Sequence, residues 1–318
     1  MRNREQILEW ERRWRVPVAI ATFLAVALMI VSQIVSPISG NGNAAVLRSV
    51  NEHSDAAALS GIMRAVGLAL LIAPLFYLFR AVQARSSRVR TQLVGLVVIA
   101  PLFLAVSSGL TVAANNEAAD LFVAGEAKST LSAKEAHQQC VSDRKDEGAK
   151  SFAEEFKPAQ GETVLAACEK RKIEDDEASN AIGEASLAPV VSGLGIAGTL
   201  GLVVSLFYCG LYGMRTGLLS RFWGSLGMVA GIAFLLGPLF IVTLIWFVYF
   251  GLLVLGAVPG GRPPAWEKGE AVPWPTPGEK AAAELEPSEG PPNPEPDADA
   301  DGSSERRKRK ARDPGQSD

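Results

Sequence analysis

The chain has 318 residues, a formal net charge of −3, and a composition that is 48% apolar but only 20% charged. Its apolar residues fall in charge-free runs near 16–36, 65–79, 93–114, 186–213 and 224–258, and the last forty residues hold almost none. Each run reaches or approaches the roughly 20 residues that cross a bilayer's hydrocarbon core. That pattern excludes a soluble globular protein, a nucleic-acid-binding domain, a secreted disulfide scaffold and a collagen-like chain. It predicts an all-α fold: a polytopic membrane helix bundle.

Residues 1–15 carry five arginines and three glutamates, with Ile7, Trp10 and Trp14 at i, i+3 and i+7 on one helical face. Trp prefers the headgroup region, so the segment reads as a cytoplasmic, interfacial amphipathic helix; the alternative is a solvated charged leader. The apolar run that follows exceeds the 7–15 residues of a signal-peptide core and no A-x-A site comes directly after it, which predicts an uncleaved first span at 16–36. Span two is predicted at about 57–80, with Ser54 and Asp55 as helix-start residues, and span three at about 92–114. Arg80, Arg85, Arg88 and Arg90 lie between them with no acid nearby. A short basic loop of this kind belongs in the cytoplasm, which places the N-terminus inside and the 37–56 loop outside. The first membrane section is therefore 16–114.

Residues 115–184 form a polar insert with 16 acids and 9 bases, placed outside by its neighbours. Ser132-x-x-Glu135 has capping-box spacing. Ala133, Ala136, Cys140, Ala149, Phe152, Ala153 and Phe156 trace one face of a helix that Lys157-Pro158 ends. A second helix is predicted from about Glu162, with Val164, Leu165 and Cys168 on one side, and the acidic cluster Glu174–Glu177 leads on to span four. Cys140 and Cys168 lie on the side of the membrane where disulfides persist and on the packing faces of their helices, so a Cys140–Cys168 disulfide is predicted. An unbroken first helix would overshoot the second by roughly 12 Å at 1.5 Å per residue, and Gly148 is the expected break. His137 and Cys140 have the i, i+3 spacing of metal ligands, but two ligands do not make a site, and no metal or cofactor is expected.

The second membrane section is 185–258. Span four is predicted at about 186–213, followed by a short inside loop with Arg215 and Arg221. The 35 uncharged residues 224–258 are too long for one span, about 52 Å as a single helix. Gly237-Pro238 divides them into spans at about 222–236 and 239–257, giving six transmembrane helices with both ends inside. From Pro259 onward stand twelve of the chain's 19 prolines. Such a composition offsets too little chain entropy by burial, so 259–318 is predicted to be a disordered cytoplasmic tail. Trp266 and Trp274 are expected at the interface, and the run Arg306–Lys310 is expected to touch anionic lipid. The motif Ile72-Ala-Pro-Leu-Phe76 returns as Ile99-Ala-Pro-Leu-Phe103 and Leu236-Gly-Pro-Leu-Phe240, an echo that either chance or duplication produces.

Small residues recur every fourth position. Gly61, Ala65, Ala69 and Ala73 do so in span two, Gly193, Ala197, Gly201, Ser205, Cys209 and Gly213 in span four, and Gly227 and Gly231 in span five. They predict helix-packing faces. Arg64 is the one ionisable residue within the spans. It is expected to snorkel to the interface, or else to contact an anion or form a bundle-facing pair. None of the familiar catalytic motifs is present, namely H-E-x-x-H, G-x-S-x-G, Walker A and Cys-x-x-Cys.

Two stretches, Thr216-Gly-Leu-Leu-Ser-Arg-Phe-Trp-Gly-Ser-Leu-Gly227 and Gly260-Gly-Arg-Pro-Pro-Ala-Trp-Glu-Lys-Gly-Glu-Ala-Val-Pro-Trp-Pro275, resemble uncharacterised multi-pass integral membrane proteins of high-GC actinobacteria. The resemblance implies a plasma-membrane protein and no particular activity. The expected role is non-enzymatic. Beyond the lipid bilayer, the insert 115–184 would contact a protein, lipid or wall partner, with no nucleic acid involved; a small-solute transporter or channel is the alternative.

Overall fold

A computed structural model of the chain describes residues 4–36, 42–156, 158, 161–237 and 239–274. The described residues are helical. Four helices are long and apolar enough to cross a membrane: Arg4–Val35, Ser54–Arg85, Thr91–Val123 and Ala188–Arg215. Two shorter apolar helices, Arg221–Leu235 and Phe240–Leu255, accompany them.

Helix α1 (Arg4–Val35) is continuous through Pro17 and joins the charged leader to the first apolar run without a break. After the short helix α2 (Asn43–Glu52), the second long element divides into α3 (Ser54–Leu70) and α4 (Ile72–Arg85). The division has a local cause. Pro74 has no N–H to give the Leu70 carbonyl and its ring crowds that carbonyl, so the helix restarts after Leu71. A single 3₁₀ turn, Thr91–Leu93, leads into α5 (Val94–Val123). The insert supplies α6 (Ala133–Glu147), α7 (Ala149–Glu155) and α8 (Val164–Glu184). Next come α9 (Ala188–Arg215), α10 (Arg221–Leu235) and α11 (Phe240–Leu255), and a last short turn, α12 (Pro264–Lys268).

The long helices close a ring in which α1 packs on α3, α3 on α5, α5 on α9, α9 on α10, α10 on α11, and α11 on α1. The break at Leu71 has a tertiary consequence. Beyond it, α4 touches α1, α5, α9 and α11, a position that only the middle of the ring allows. Its Leu75, Leu78 and Phe79 are fully buried there. Before the break, α3 stays on the rim with Leu59, Ile62 and Val66 exposed. One half of the ring is therefore plugged by α4 and the other half is left without a central helix. We call these the strapped end and the capped end, after what covers each.

The strapped end is closed by residues 259–274. Trp266 is 3% exposed and stacks on Tyr77, which stacks in turn on Trp10, with ring centroids 5.8 and 5.3 Å apart. The Trp266 indole N–H donates to the Leu218 carbonyl at 2.9 Å, the Trp274 indole to Leu219 at 2.9 Å, and the Val272 amide to Thr216 at 3.1 Å. Gly217, at φ +74°, is left-handed, and a Cβ there would collide with the Val272 carbonyl. This corrects the expected start of the tail: the Pro-rich composition hides three anchors, Trp266, Val272 and Trp274, that find partners on the α9–α10 loop. The two stretches that carried the family resemblance are the two sides of this one interface. The disorder and lipid contact expected for 275–318, with the Arg306–Lys310 run, lie outside the described residues.

The small-residue stripe on α9 departs from the expected single face. Gly201, Ser205, Cys209 and Gly213 are buried, but Gly193 and Ala197 are exposed. At about 3.6 residues per turn, a four-residue step gains about 40°, so five steps wind the stripe about 200° around the helix. The close approach to α5 is made by Gly201 of the stripe together with Gly198 outside it, where added Cβ atoms would lie 2.7 Å from Ala100 and 2.8 Å from Leu104. Gly61 packs against Val112, Gly227 against the Trp246 indole and Gly231 against Val203. Ala65, Ala69 and Ala73 are half-buried. The three Ile/Leu-x-Pro-Leu-Phe echoes occupy unlike places: the α3–α4 break, the interior of α5 and the α10–α11 turn.

Candidate functional site

The capped end begins where α5 runs on past 114 to Val123 and α8 comes down beside it. Helix α2, whose formation the sequence did not suggest, lies across both. Ala44, Leu47 and Val50 of α2 form a small apolar layer with Ala118 and Ala119 of α5 and Ala178 and Ala181 of α8. The acidic cluster at 174–177 holds this layer together. Asp175 accepts the Ala44 amide at 3.0 Å at the start of α2, Glu174 pairs with Arg48 at 2.9 Å, and Ser179 accepts from Asn43 at 2.8 Å. Asp176 accepts from the Ser129 hydroxyl at 2.8 Å and from the amides of Thr130 and Leu131 at 2.7 and 3.0 Å. These bonds, the Ser129 hydroxyl first, hold its carboxyl below the usual carboxylate range. Glu174, Asp175 and Asp176 thus each have their own partners.

Beyond that layer stands the hairpin of α6, α7 and the first half of α8. Its capping box is formed, with Ser132 accepting the Glu135 amide at 3.3 Å and Glu135 accepting the Ser132 amide at 2.9 Å. The helix breaks at Gly148, which takes φ +82°, and this turns Phe152 and Phe156 back onto Cys140 and Cys168. The two cysteines are joined in a disulfide with Cα atoms 6.0 Å apart. His137 Nδ1 lies within hydrogen-bond distance of Glu169 Oε1 at 2.7 Å, and Lys172 pairs with Asp143 at 2.9 Å, so contacts on the outside of the hairpin close it as well. With Cys140 oxidised, the His137/Cys140 metal reading loses one of its two ligands, and no metal-binding cluster is present among the described residues.

Under the α2 roof, where the ring lacks a central helix, lies a cavity of about 700 Å³ bounded by α1, α3, α5, α9 and the α10–α11 turn. It extends along α5 from Asn116 to Leu104, about 18 Å at 1.5 Å per residue. It ends at Leu68 and Leu104, just above the α4 plug. Arg64 lines it and is the one charged residue among its described lining residues. Arg64 is exposed as a residue, lines this space, and has no ion pair or hydrogen bond among the described residues. Arg64 thus sits on the cavity wall, which revises the expectation of simple snorkelling. Asn115 and Ser108 on α5 and Gln33 on α1 also line the cavity, with side chains that have no hydrogen-bond partner among the described residues.

At the strapped end the polar groups are spent. Arg85 is buried and forked onto Glu11 at 2.5 and 3.0 Å, donates to the Ala81 and Ala265 carbonyls, and lies over the Trp266 ring. Arg262 donates to the last carbonyls of α11, Leu253 and Val254. Sequence reasoning missed the Glu11–Arg85 pair because both residues sat in segments that read as surface charge. The signal available was Arg85 closing an otherwise apolar helix. No family model, curated protein or solved structure matches this chain.

Proposed function

We propose that this is a non-enzymatic, multi-pass protein of the plasma membrane, with six transmembrane helices and both ends in the cytoplasm, that works by presenting its extracytoplasmic hairpin to a partner. The basic residues Arg80, Arg85, Arg88 and Arg90 support the orientation through the positive-inside rule. The short helices α10 and α11, 15 and 16 residues long, count as the fifth and sixth spans, with the bilayer thinned beside them.

The observation that carries this reading is the hairpin's construction. Its small core of Cys140, Phe152, Phe156 and Cys168 is separate from that of the bundle, so its disulfide and its Lys172–Asp143 ion pair do nothing to hold the spans together. They fix the shape of a projecting element, which is the requirement of a docking surface rather than of a packing element. A channel or carrier is the weaker reading, because Leu75, Leu78 and Phe79 of α4 fill the axis below the cavity.

Two experiments test this. A photo-crosslinking residue placed at Val141, which is 38% exposed, should give one discrete adduct in native membranes, and the same residue at Ile20 should give lipid adducts alone. Absence of a discrete adduct at 141 would defeat the proposal. For topology, an impermeant thiol reagent on intact cells should label Ala133→Cys and leave Arg88→Cys unlabelled.

A further inference from the structure

We propose that the cavity beneath α2 is a binding site for an anionic amphiphile, a carboxylate or phosphate head on an apolar body, held through Arg64. Arg64 stands ten residues into α3, within a helix pair long and apolar enough to span a membrane. A cation placed there is costly, and one that survives normally meets a partner or a water-filled space that serves a function. Within the same protein Arg85 shows how such a charge is satisfied internally: it makes four hydrogen bonds and an ion pair. Arg64 makes none among the described residues, and the lining includes no acid to supply one.

The chemistry of the lining selects the ligand. A guanidinium offers a planar fork of donors that matches the two oxygens of a carboxylate or phosphate. The unengaged amides of Asn115 and Gln33 and the Ser108 hydroxyl add neutral donors around it, and with no carboxylate in the lining nothing repels an anion. The wall also carries hydroxyls, Ser107, Thr111 and Thr199 among them, and has an apolar part at its deep end. Leu68 lies one turn deeper than Arg64 on the same face of α3, and Leu104 and Phe240 belong to the same apolar part. At about 700 Å³, the space lies in the range of about 300–1,000 Å³ typical of small-molecule sites. It holds far more than a bare phosphate, which displaces only a few waters of about 30 Å³ each. A headgroup at Arg64 with an apolar chain against Leu68, Leu104 and Phe240 uses both kinds of surface.

The test is calorimetric titration of the full chain in phosphatidylcholine nanodiscs, with empty discs subtracted. Decanoate and decyl phosphate are the probes, and decanol and inorganic phosphate are the controls. Saturable binding of the two anionic amphiphiles is expected, with decanol and inorganic phosphate at least about tenfold weaker. Arg64→Gln should weaken the anionic amphiphiles at least about tenfold, and Arg64→Lys should restore part of that loss. Ser108→Leu, which keeps the charge but occupies the cavity, should weaken them as well. Equal affinity in wild type and Arg64→Gln, or decanol binding as tightly as decanoate, would overturn the proposal. Inorganic phosphate binding as tightly as decyl phosphate would overturn the amphiphile. Decanoate and decyl phosphate differing in affinity, with both dependent on Arg64, would support the site and identify the preferred head.

Discussion

Arg64 and Arg85 lie on the two halves of one broken helix, and the two ends of the bundle treat them in opposite ways. At the strapped end, Arg85 is buried with Glu11, two backbone carbonyls and the Trp266 ring around it. At the capped end, Arg64 stands in a cavity with no partner among the described residues. The kink at Leu71 separates the two outcomes. It sends α4 into the middle of the ring, where every polar group must be satisfied by protein, and leaves α3 on the rim beside an unfilled space. The comparison teaches that one substitution type should have different consequences at the two ends: loss of stability at the first and loss of binding at the second.

The largest expected effect is at Arg85. Arg85→Ala leaves the Glu11 carboxylate buried and unpaired, which should cost about 3–5 kcal/mol. Reversible unfolding of the detergent-solubilised protein would measure it. The double variant Glu11→Leu/Arg85→Met should recover most of the loss. If the double variant is as unstable as the single one, the strapped end is not held by the logic of a paired charge.

Next comes the disulfide. Replacing Cys140 and Cys168 by Ser opens a loop of sequence separation 28, worth about 3–4 kcal/mol in the chain-entropy picture. The loss should be confined to α6, α7 and the start of α8. Hydrogen exchange should therefore rise across 133–170 and stay unchanged in α9. Loosening that spreads into α9 would show that the hairpin is part of the bundle's core after all.

Gly217→Ala should cost about 2 kcal/mol. It puts a Cβ at φ +74° and against the Val272 carbonyl, where a left-handed non-glycine residue costs roughly 1–3 kcal/mol. The strap should lift, and Trp266 and Trp274 fluorescence should shift to the red.

Asp176→Asn should cost about 1 kcal/mol through weaker hydrogen bonds to 129–131. The same carboxyl gives a pH dependence. Because its pKa is held below the ordinary 3.8, its stabilisation is fully present above that value and is lost as the pH falls through the lowered one. Protection from exchange at 127–131 should fall as the pH drops through that lowered value.

The smallest effect is expected for Arg64→Gln, within about 0.5 kcal/mol of wild type, since no contact among the described residues is lost. A large destabilisation there would erase the contrast with Arg85.

Much was legible in the chain before folding was considered. Run length and the absence of charge located the apolar helices, because burying backbone in lipid demands helical hydrogen bonding over a fixed thickness. The Ser132/Glu135 box, the Gly148 break and the Cys140–Cys168 pairing were legible too. Capping and glycine conformations are local, and the two cysteine faces followed from helical period alone. Two readings needed revision for a common reason. The α9 stripe winds around its helix, so Gly193 and Ala197 leave the buried face, and residues 259–274 fold against the α9–α10 loop despite their prolines. In each case the outcome depends on which distant surface a residue meets. Composition describes what a segment can do alone, and these segments are ordered by α5 and the α9–α10 loop.

The sequence by itself determined the apolar helices and several of the local devices that start and stop helices, because propensity, hydropathy and capping act within a few turns. Tertiary structure alone decided that Pro74 would push α4 into the centre of the ring and leave a cavity at Arg64. It also decided that Trp266 would be buried and that Glu11 would find Arg85. These outcomes rest on helices separated by tens to hundreds of residues coming into register, and no local pattern records that register.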